Sequence, residues 1–189
     1  MLNSLLRKRP KSGAPAQKVG DVLYAAVSAQ ARQPAFYTAL GVADRIDARF
    51  ELYTLHALLL ILRLRDEDRE GPAAGAAAAQ SLFDVYVSAL DHVLREYGVG
   101  DVSMAKKMRK LGEALYGRMT AYEPAVRAGD APTLALHLAR NVYASEDAGV
   151  AARLTDYALA AHAGLAAQSF QAVLTAPTWP AVTEPGASA

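Results

Sequence analysis

The stretch DARFELYTLHALLLILRLRD, residues 47–66, decides the fold. Plotted at 100° per residue, its apolar side chains occupy most of the circumference of a helix. A helix at a protein surface keeps one polar face, and this one has almost none between Leu55 and Leu62. The sequence therefore predicts a helix enclosed by others. The run is far shorter than the roughly 20 apolar residues of a membrane span, and His56, Arg63 and Arg65 interrupt or end it. One stripe departs from the pattern: Arg49, His56, Arg63 and Glu67 fall within about 40° of each other, beside Leu52, Leu59 and Leu60.

The flanking segments supply the enclosing helices. Val19 to Arg32 reads as a first helix with Val22, Leu23, Ala26 and Val27 inward. Pro34 opens a short helix, PAFYTAL, because a proline in the first turn has no N–H to leave unpaired. Gly41 ends it, since glycine accepts the left-handed conformation of a C-terminal cap. EGPAAGAAAA, residues 70–79, reads as a loop into a fourth helix, where Leu82, Phe83, Tyr86, Leu90, Val93 and Tyr97 recur at spacings of three and four. Gly98 is placed as its cap. Asp101 or Ser103 caps the next helix, whose inner face is Met104, Met108, Leu111, Leu115, Met119 and Tyr122. Pro124 suggests a break, Asp130 a cap for a helix to about Tyr143, and Glu146 to Gln171 a last helix with Val150, Leu154, Tyr157, Ala161 and Leu165 inward.

Composition agrees. Of 189 residues 52% are apolar and only 7% aromatic, and the abundant alanine favours helix because it loses no side-chain entropy there. The expected fold is a single all-α domain of about six to eight helices over residues 18–172. Residues 1–17 form a disordered basic arm in this reading, and residues 173–189, VLTAPTWPAVTEPGASA, a disordered Pro/Ala-rich tail in which Trp179 is the side chain suited to docking.

Net charge is +1, so no global field calls for nucleic acid. Arg7, Lys8, Arg9, Lys11 and Lys18 all precede the first acid, Asp21, leaving a body of 15 basic and 19 acidic residues. The arm lacks the apolar core of a secretory signal. It reads as a disordered basic tail or as an amphipathic foot, with Leu2, Leu5 and Leu6 entering an anionic membrane surface; a mitochondrial presequence has the same basic character. There is no cysteine. Disulfides, thiol nucleophiles and cysteine-ligated zinc are excluded, which suits a reducing compartment.

No catalytic motif is present: no G-x-S-x-G elbow, H-E-x-x-H helix or dinucleotide fingerprint. His92 and Glu96 stand four apart, yet no second pair completes a metal site. His137 and His162 read as core-edge residues. His56, with Arg49 and Arg63, is the feature that fits a cavity for a lipid, quinone or haem, although a hydrogen-bonded structural histidine is the simpler reading. REYGVGDVSMAKKMRK, residues 95–110, is not a phosphate loop, because a helix and not a strand precedes it. It begins a helix whose outer face shows Lys106, Arg109 and Lys110, with Lys107 beside them. That face is a solvated side or a binding surface for another protein. DNA is disfavoured, since the charges are few and no aromatic side chains interleave with them. ARQPAFYTALGV, residues 31–42, crowds Arg32, Phe36 and Tyr37 at a proline turn, either as a packed corner or as the lip of a groove for an apolar segment.

The ordered pattern R-x-P-x-F-Y-x-x-L-G-V, then R-F-E and L-H, then L-R-E-x-G-V-G-D and Y-G-R resembles the ubiquinol–cytochrome c chaperone family. The matching stretches, residues 23–64 and 82–122, span nearly half the chain. The family pattern falls on Arg32, Pro34, Phe36, Tyr37, Gly41, Asp44, Arg49, Phe50, His56, Asp84, Arg95, Gly98, Gly100, Asp101, Lys106, Tyr116, Gly117 and Arg118. Ala43 stands where proline is expected and Ala48 where glycine is frequent. The resemblance implies a bacterial assembly chaperone of the cytochrome bc1 complex, without catalysis, metal or cofactor. Its implied client is newly made cytochrome b or another bc1 subunit. A small partner protein and the ribosomal exit belong to mitochondrial relatives. The residues expected to meet partners are Arg32, Phe36, Tyr37, Arg49, His56, Asp101, Lys106, Lys107, Arg109, Lys110, Tyr116 and Arg118. The expected location is the cytoplasm or the inner face of the cytoplasmic membrane.

Overall fold

In the computed structural model, which describes residues 14–67, 71–96 and 101–182, the apolar stretch forms helix α3, Ile46–Arg65. Every residue from Leu55 to Leu62 is fully shielded from solvent. The shield is built by α1 (Ala14–Ala31), α4 (Pro72–Glu96), α5 (Asp101–Ala128), α6 (Ala131–Val142) and α7 (Ala152–Ala166), each packed on α3. Two short helices complete the order, α2 (Pro34–Thr38) between α1 and α3 and α8 (Phe170–Thr175) after α7. A 3-10 turn, Ala148–Ala151, precedes α7. All regular elements among the described residues are helical. Burying one leucine side chain contributes roughly 1.5–3 kcal/mol, and seven of them (Leu52, Leu55, Leu58, Leu59, Leu60, Leu62 and Leu64) stand fully buried on α3 alone.

Several local expectations shift. Helix α1 begins at Ala14, inside the segment read as an arm, and turns Leu23, Val27 and Ala31 inward while Val22 stays 43% exposed. Residues 72–79 are not a loop but the first turns of α4. Gly75 explains why glycine belongs there: a Cβ would overlap the Leu64 carbonyl. At Gly20, on α1, a Cβ would lie 2.6 Å from the Ser81 carbonyl oxygen on α4. Glycines therefore let α4 press against both α1 and the end of α3. Replacing Gly75 by alanine is expected to cost about 1–3 kcal/mol, because backbone and not a flexible tip must move; chemical denaturation would read it as a lower midpoint at unchanged slope.

Pro124 does not break α5, which runs through it to Ala128. Tyr122, Ala125 and Val126 are buried around it, so packing outweighs the lost hydrogen bond. Asp130 caps α6 as expected, its Oδ1 accepting from the Thr133 N–H at 3.1 Å. The last expected helix is divided: the 3-10 turn leads, Ala167 to Ser169 interrupt, and Ser169 caps α8. Val150 is exposed, whereas Leu154, Tyr157, Ala161 and Leu165 are buried. The expected tail is corrected most. Val173 and Pro177 are buried, and Trp179 and Val182 pack against the core. Tyr97 and the Gly98 cap lie outside the described residues, as does the arm before Ala14.

Candidate functional site

The corner that α2 makes between α1 and α3 is held from below. Phe36 is fully buried, its ring edge-on to Tyr157 at 4.9 Å and to His56 at 5.2 Å between centroids. The closing carbonyls of α2 have partners from distant elements. Tyr143 donates to the Leu40 carbonyl at 2.9 Å, and Arg153 donates to that of Ala39. Gly41, at φ +69°, lets the chain turn so that the Val42 N–H reaches back to the Phe36 carbonyl. Phe36 is thus the peg of a fixed corner and not the lip of a groove.

The outside of that corner carries charge and aromatic surface together. Arg32 lies 5.7 Å from the centroid of the Tyr53 ring, a cation–π distance. Arg49 Nε donates to Asp44 Oδ1 at 2.6 Å, with both side chains more than half exposed. That hydrogen bond holds the Asp44 carboxyl below its ordinary value and raises the Arg49 guanidinium. Tyr37 sits among them, half-buried, its hydroxyl donating to the Ala31 carbonyl at 3.3 Å. Burial raises its phenol, and the charges of Arg49, Asp44 and Arg32 all reach it. Ile46, 62% exposed, opens α3 at this corner. Sequence reasoning missed Tyr53, although it stands one turn from Arg49.

His56 lies beneath, fully buried. Its Nδ1 is 2.7 Å from the Leu52 carbonyl oxygen, which only accepts, so Nδ1 carries the proton. Nε2 therefore accepts from the Tyr157 hydroxyl at 2.9 Å, and the Tyr157 oxygen accepts from Gln30 Nε2 at 2.9 Å. This ordered chain links α1, α7 and α3 and keeps the imidazole neutral; burial lowers its pKa to about 4. Both nitrogens are engaged and the ring meets Phe36 and Trp179 edge to face. A haem iron or a quinone oxygen finds no free nitrogen here. The arginines of the stripe are elsewhere: Arg49 is in solvent, and Arg63 is buried at the far end of α3.

The basic face of α5 is a second surface. Lys106, Arg109 and Lys110 are exposed, and Tyr116 is 37% exposed further along the helix. Asp101 opens α5, but its side chain and that of Lys107 lie outside the described residues. Arg118 is engaged inward, donating to both Glu51 oxygens, with Nη2 2.8 Å from Oε1. The partners respond differently. Burial pushes the Glu51 carboxyl up despite those hydrogen bonds, whereas Arg118 loses some solvation but is raised on balance by the Glu51 carboxylate. The more exposed Arg118 thus offsets part of the cost of burying the Glu51 carboxyl. Glu51 and Arg49 are about 160° apart around α3. The corner and the α5 face are therefore separate surfaces.

The ubiquinol-cytochrome C chaperone family model matches residues 38–179, from just past Tyr37 to Trp179. The crystal structure of the Cbp3 homolog from Brucella abortus aligns with a TM-score of 0.78 at 32% identity, covering 96% of this chain and 98% of that one. No curated protein matches the chain. A match over most of the sequence and a like fold over nearly all of both chains lead to one conclusion: this protein belongs to the ubiquinol-cytochrome C chaperone family.

Proposed function

We propose that this protein is a non-catalytic assembly chaperone of the cytochrome bc1 complex, which holds an apolar segment of a client such as newly made cytochrome b. The observation that carries the reading is the likeness to the Cbp3 homolog over the whole fold. The outer corner supports it. Tyr37 and Tyr53, flanked by Arg32 and Arg49, offer aromatic area rigidly backed by Phe36, the composition on which interface hot spots concentrate. Apolar burial would give affinity, while these arginines and the α5 cations Lys106, Arg109 and Lys110 steer acidic client loops and fix orientation. Asp101, Lys107 and Tyr116 belong to the proposed α5 surface, which suits a small partner protein or the ribosome, while Arg118 anchors that helix to Glu51. No helix among the described residues is long and apolar enough to cross a membrane. The proposed place of action is the inner membrane surface, approached from the cytoplasm.

The chain has no cysteine, so one introduced at a time is a unique crosslinking handle. Tyr37→Cys is expected to capture cytochrome b from membranes, and Val150→Cys, exposed on the 3-10 turn, is not. Deleting the gene should lower assembled bc1 several-fold in haem spectra. Normal spectra in the deletion strain would sink the proposal.

A further inference from the structure

After α8 the chain returns across the body as an irregular segment, residues 176–182. Its side chains alternate: Pro177 is buried, Thr178 exposed, Trp179 half-buried. Trp179 meets the His56 ring at 5.2 Å and 73°, and Val182 packs on the same core. One polar attachment of the segment is a two-way clasp by a single side chain. Gln168 Oε1 accepts from the Thr178 N–H at 2.8 Å, and Gln168 Nε2 donates to the Thr178 carbonyl at 2.9 Å.

Two features mark the fit as incomplete. The indole N–H of Trp179 is buried without a hydrogen-bond partner among the described residues, which is costly because water would have satisfied it. A cavity of about 280 Å³ remains between Pro180, Ala181 and Val182 of the segment and Leu40, Arg153 and Tyr157 beneath. A segment built as permanent core would close that space and pair that donor. His56 beneath Trp179 is neutral, since both its nitrogens are engaged, whereas Arg153 and Asp156 line the cavity beside it.

We propose that residues 176–182 are a displaceable strap, and that the groove beneath it takes an extended apolar segment of another polypeptide with an aromatic side chain in the Trp179 seat. That this polypeptide is the client rests on the proposed function; the displacement itself does not. The chain's own segment is the template for the occupant: extended, apolar, proline-flanked and aromatic at its centre.

Trp179 is the chain's single tryptophan, so its emission reports the strap directly. The probe is a peptide of residues 176–187 carrying Trp179→Phe, added to the full-length protein. Saturable red-shifted emission is expected, and at a similar peptide concentration in the Gln168→Ala protein, because strap and peptide would lose the same two-bond clasp. The same peptide with Trp179→Ala should not bind. Emission unmoved at millimolar peptide in both proteins would overturn the strap. Equal binding of the alanine peptide would overturn the aromatic seat. Displacement by the peptide, together with normal bc1 in the deletion strain, would leave this inference standing and remove the proposed client.

Discussion

Replacing Arg63 by alanine is expected to lower unfolding free energy by about 4 kcal/mol, the upper range for one side chain, because it removes one partner of a buried ion pair. Arg63 is 9% exposed and Glu67 4%. Its guanidinium spans three acceptors: Nη1 to Glu67 Oε2 at 3.0 Å, Nε to the Leu165 carbonyl at 3.0 Å and Nη2 to the Gln168 carbonyl at 2.8 Å. The last two lie at the C-terminal end of α7, where carbonyls lack helical partners and the helix dipole favours a cation. A buried pair alone is often replaced by apolar residues at little cost. This one is not alone, so the Arg63→Met, Glu67→Gln double variant should recover only part of the loss. The α7 carbonyls would still lack their donor. Denaturant titration of both variants checks this. A loss below about 1 kcal/mol for Arg63→Ala, the level of an exposed pair, would show that the guanidinium is not what holds the α7 end. Arg63 also fixes Gln168, which clasps the strap, so Arg63→Ala should raise acrylamide quenching of Trp179 while Glu67→Gln should not.

The sequence revealed the enclosed helix because its apolar residues cover every direction, whatever packs there. It did not reveal what covers each level. Arg49, His56 and Arg63 share a stripe, but successive members are seven residues and about 10 Å apart along the axis. The first level projects past α2 into solvent, the second lies under Phe36 and Trp179, and the third meets the end of α7. A helical wheel collapses those levels into one, and so suggested a ligand site where there are three unrelated environments. The alanine-rich start of α4 was hidden by Gly71, Pro72 and Gly75, residues of turns. Gly75 answers to the close approach of Leu64, which no local pattern encodes. The strap was hidden likewise, since Pro177 and Pro180 have the composition of a free tail and the Trp179 seat is made by His56, far away in sequence. At the corner, Arg32, Tyr37 and Arg49 were legible from the proline turn and family pattern. Tyr53 had no signal beyond its spacing from Arg49.

His56 should make the protein acid-sensitive in a defined window. Its folded pKa, about 4, lies below the ordinary 6.5 because burial disfavours the imidazolium, only partly offset by the Leu52 carbonyl. Between those values the unfolded chain binds the proton and the folded chain does not, so stability falls as pH drops. At 1.36 kcal/mol per unit, moving from pH 7 to pH 4 should remove on the order of 3 kcal/mol through this one group. The charge is not all that is lost. A proton on Nε2 turns an acceptor toward the Tyr157 hydroxyl into a donor, and the chain from Gln30 through Tyr157 must reverse or break. Glu51 acts in the opposite sense, because burial raises its carboxyl and the folded state then takes up a proton more readily than the unfolded chain. The comparison is therefore between slopes. His56→Gln keeps a donor and an acceptor but does not titrate, so Glu51 contributes equally to both proteins. Urea unfolding at pH 7, 6, 5 and 4 should show wild type losing about 3 kcal/mol more than the variant across the range. The variant should be the less stable protein at pH 7, where neutral His56 fits its seat, and the gap should narrow or invert near pH 4. Parallel profiles would mean that the imidazole exchanges protons with solvent in the folded state as freely as in the unfolded one, which its sealed position between Phe36, Tyr157 and Trp179 does not allow.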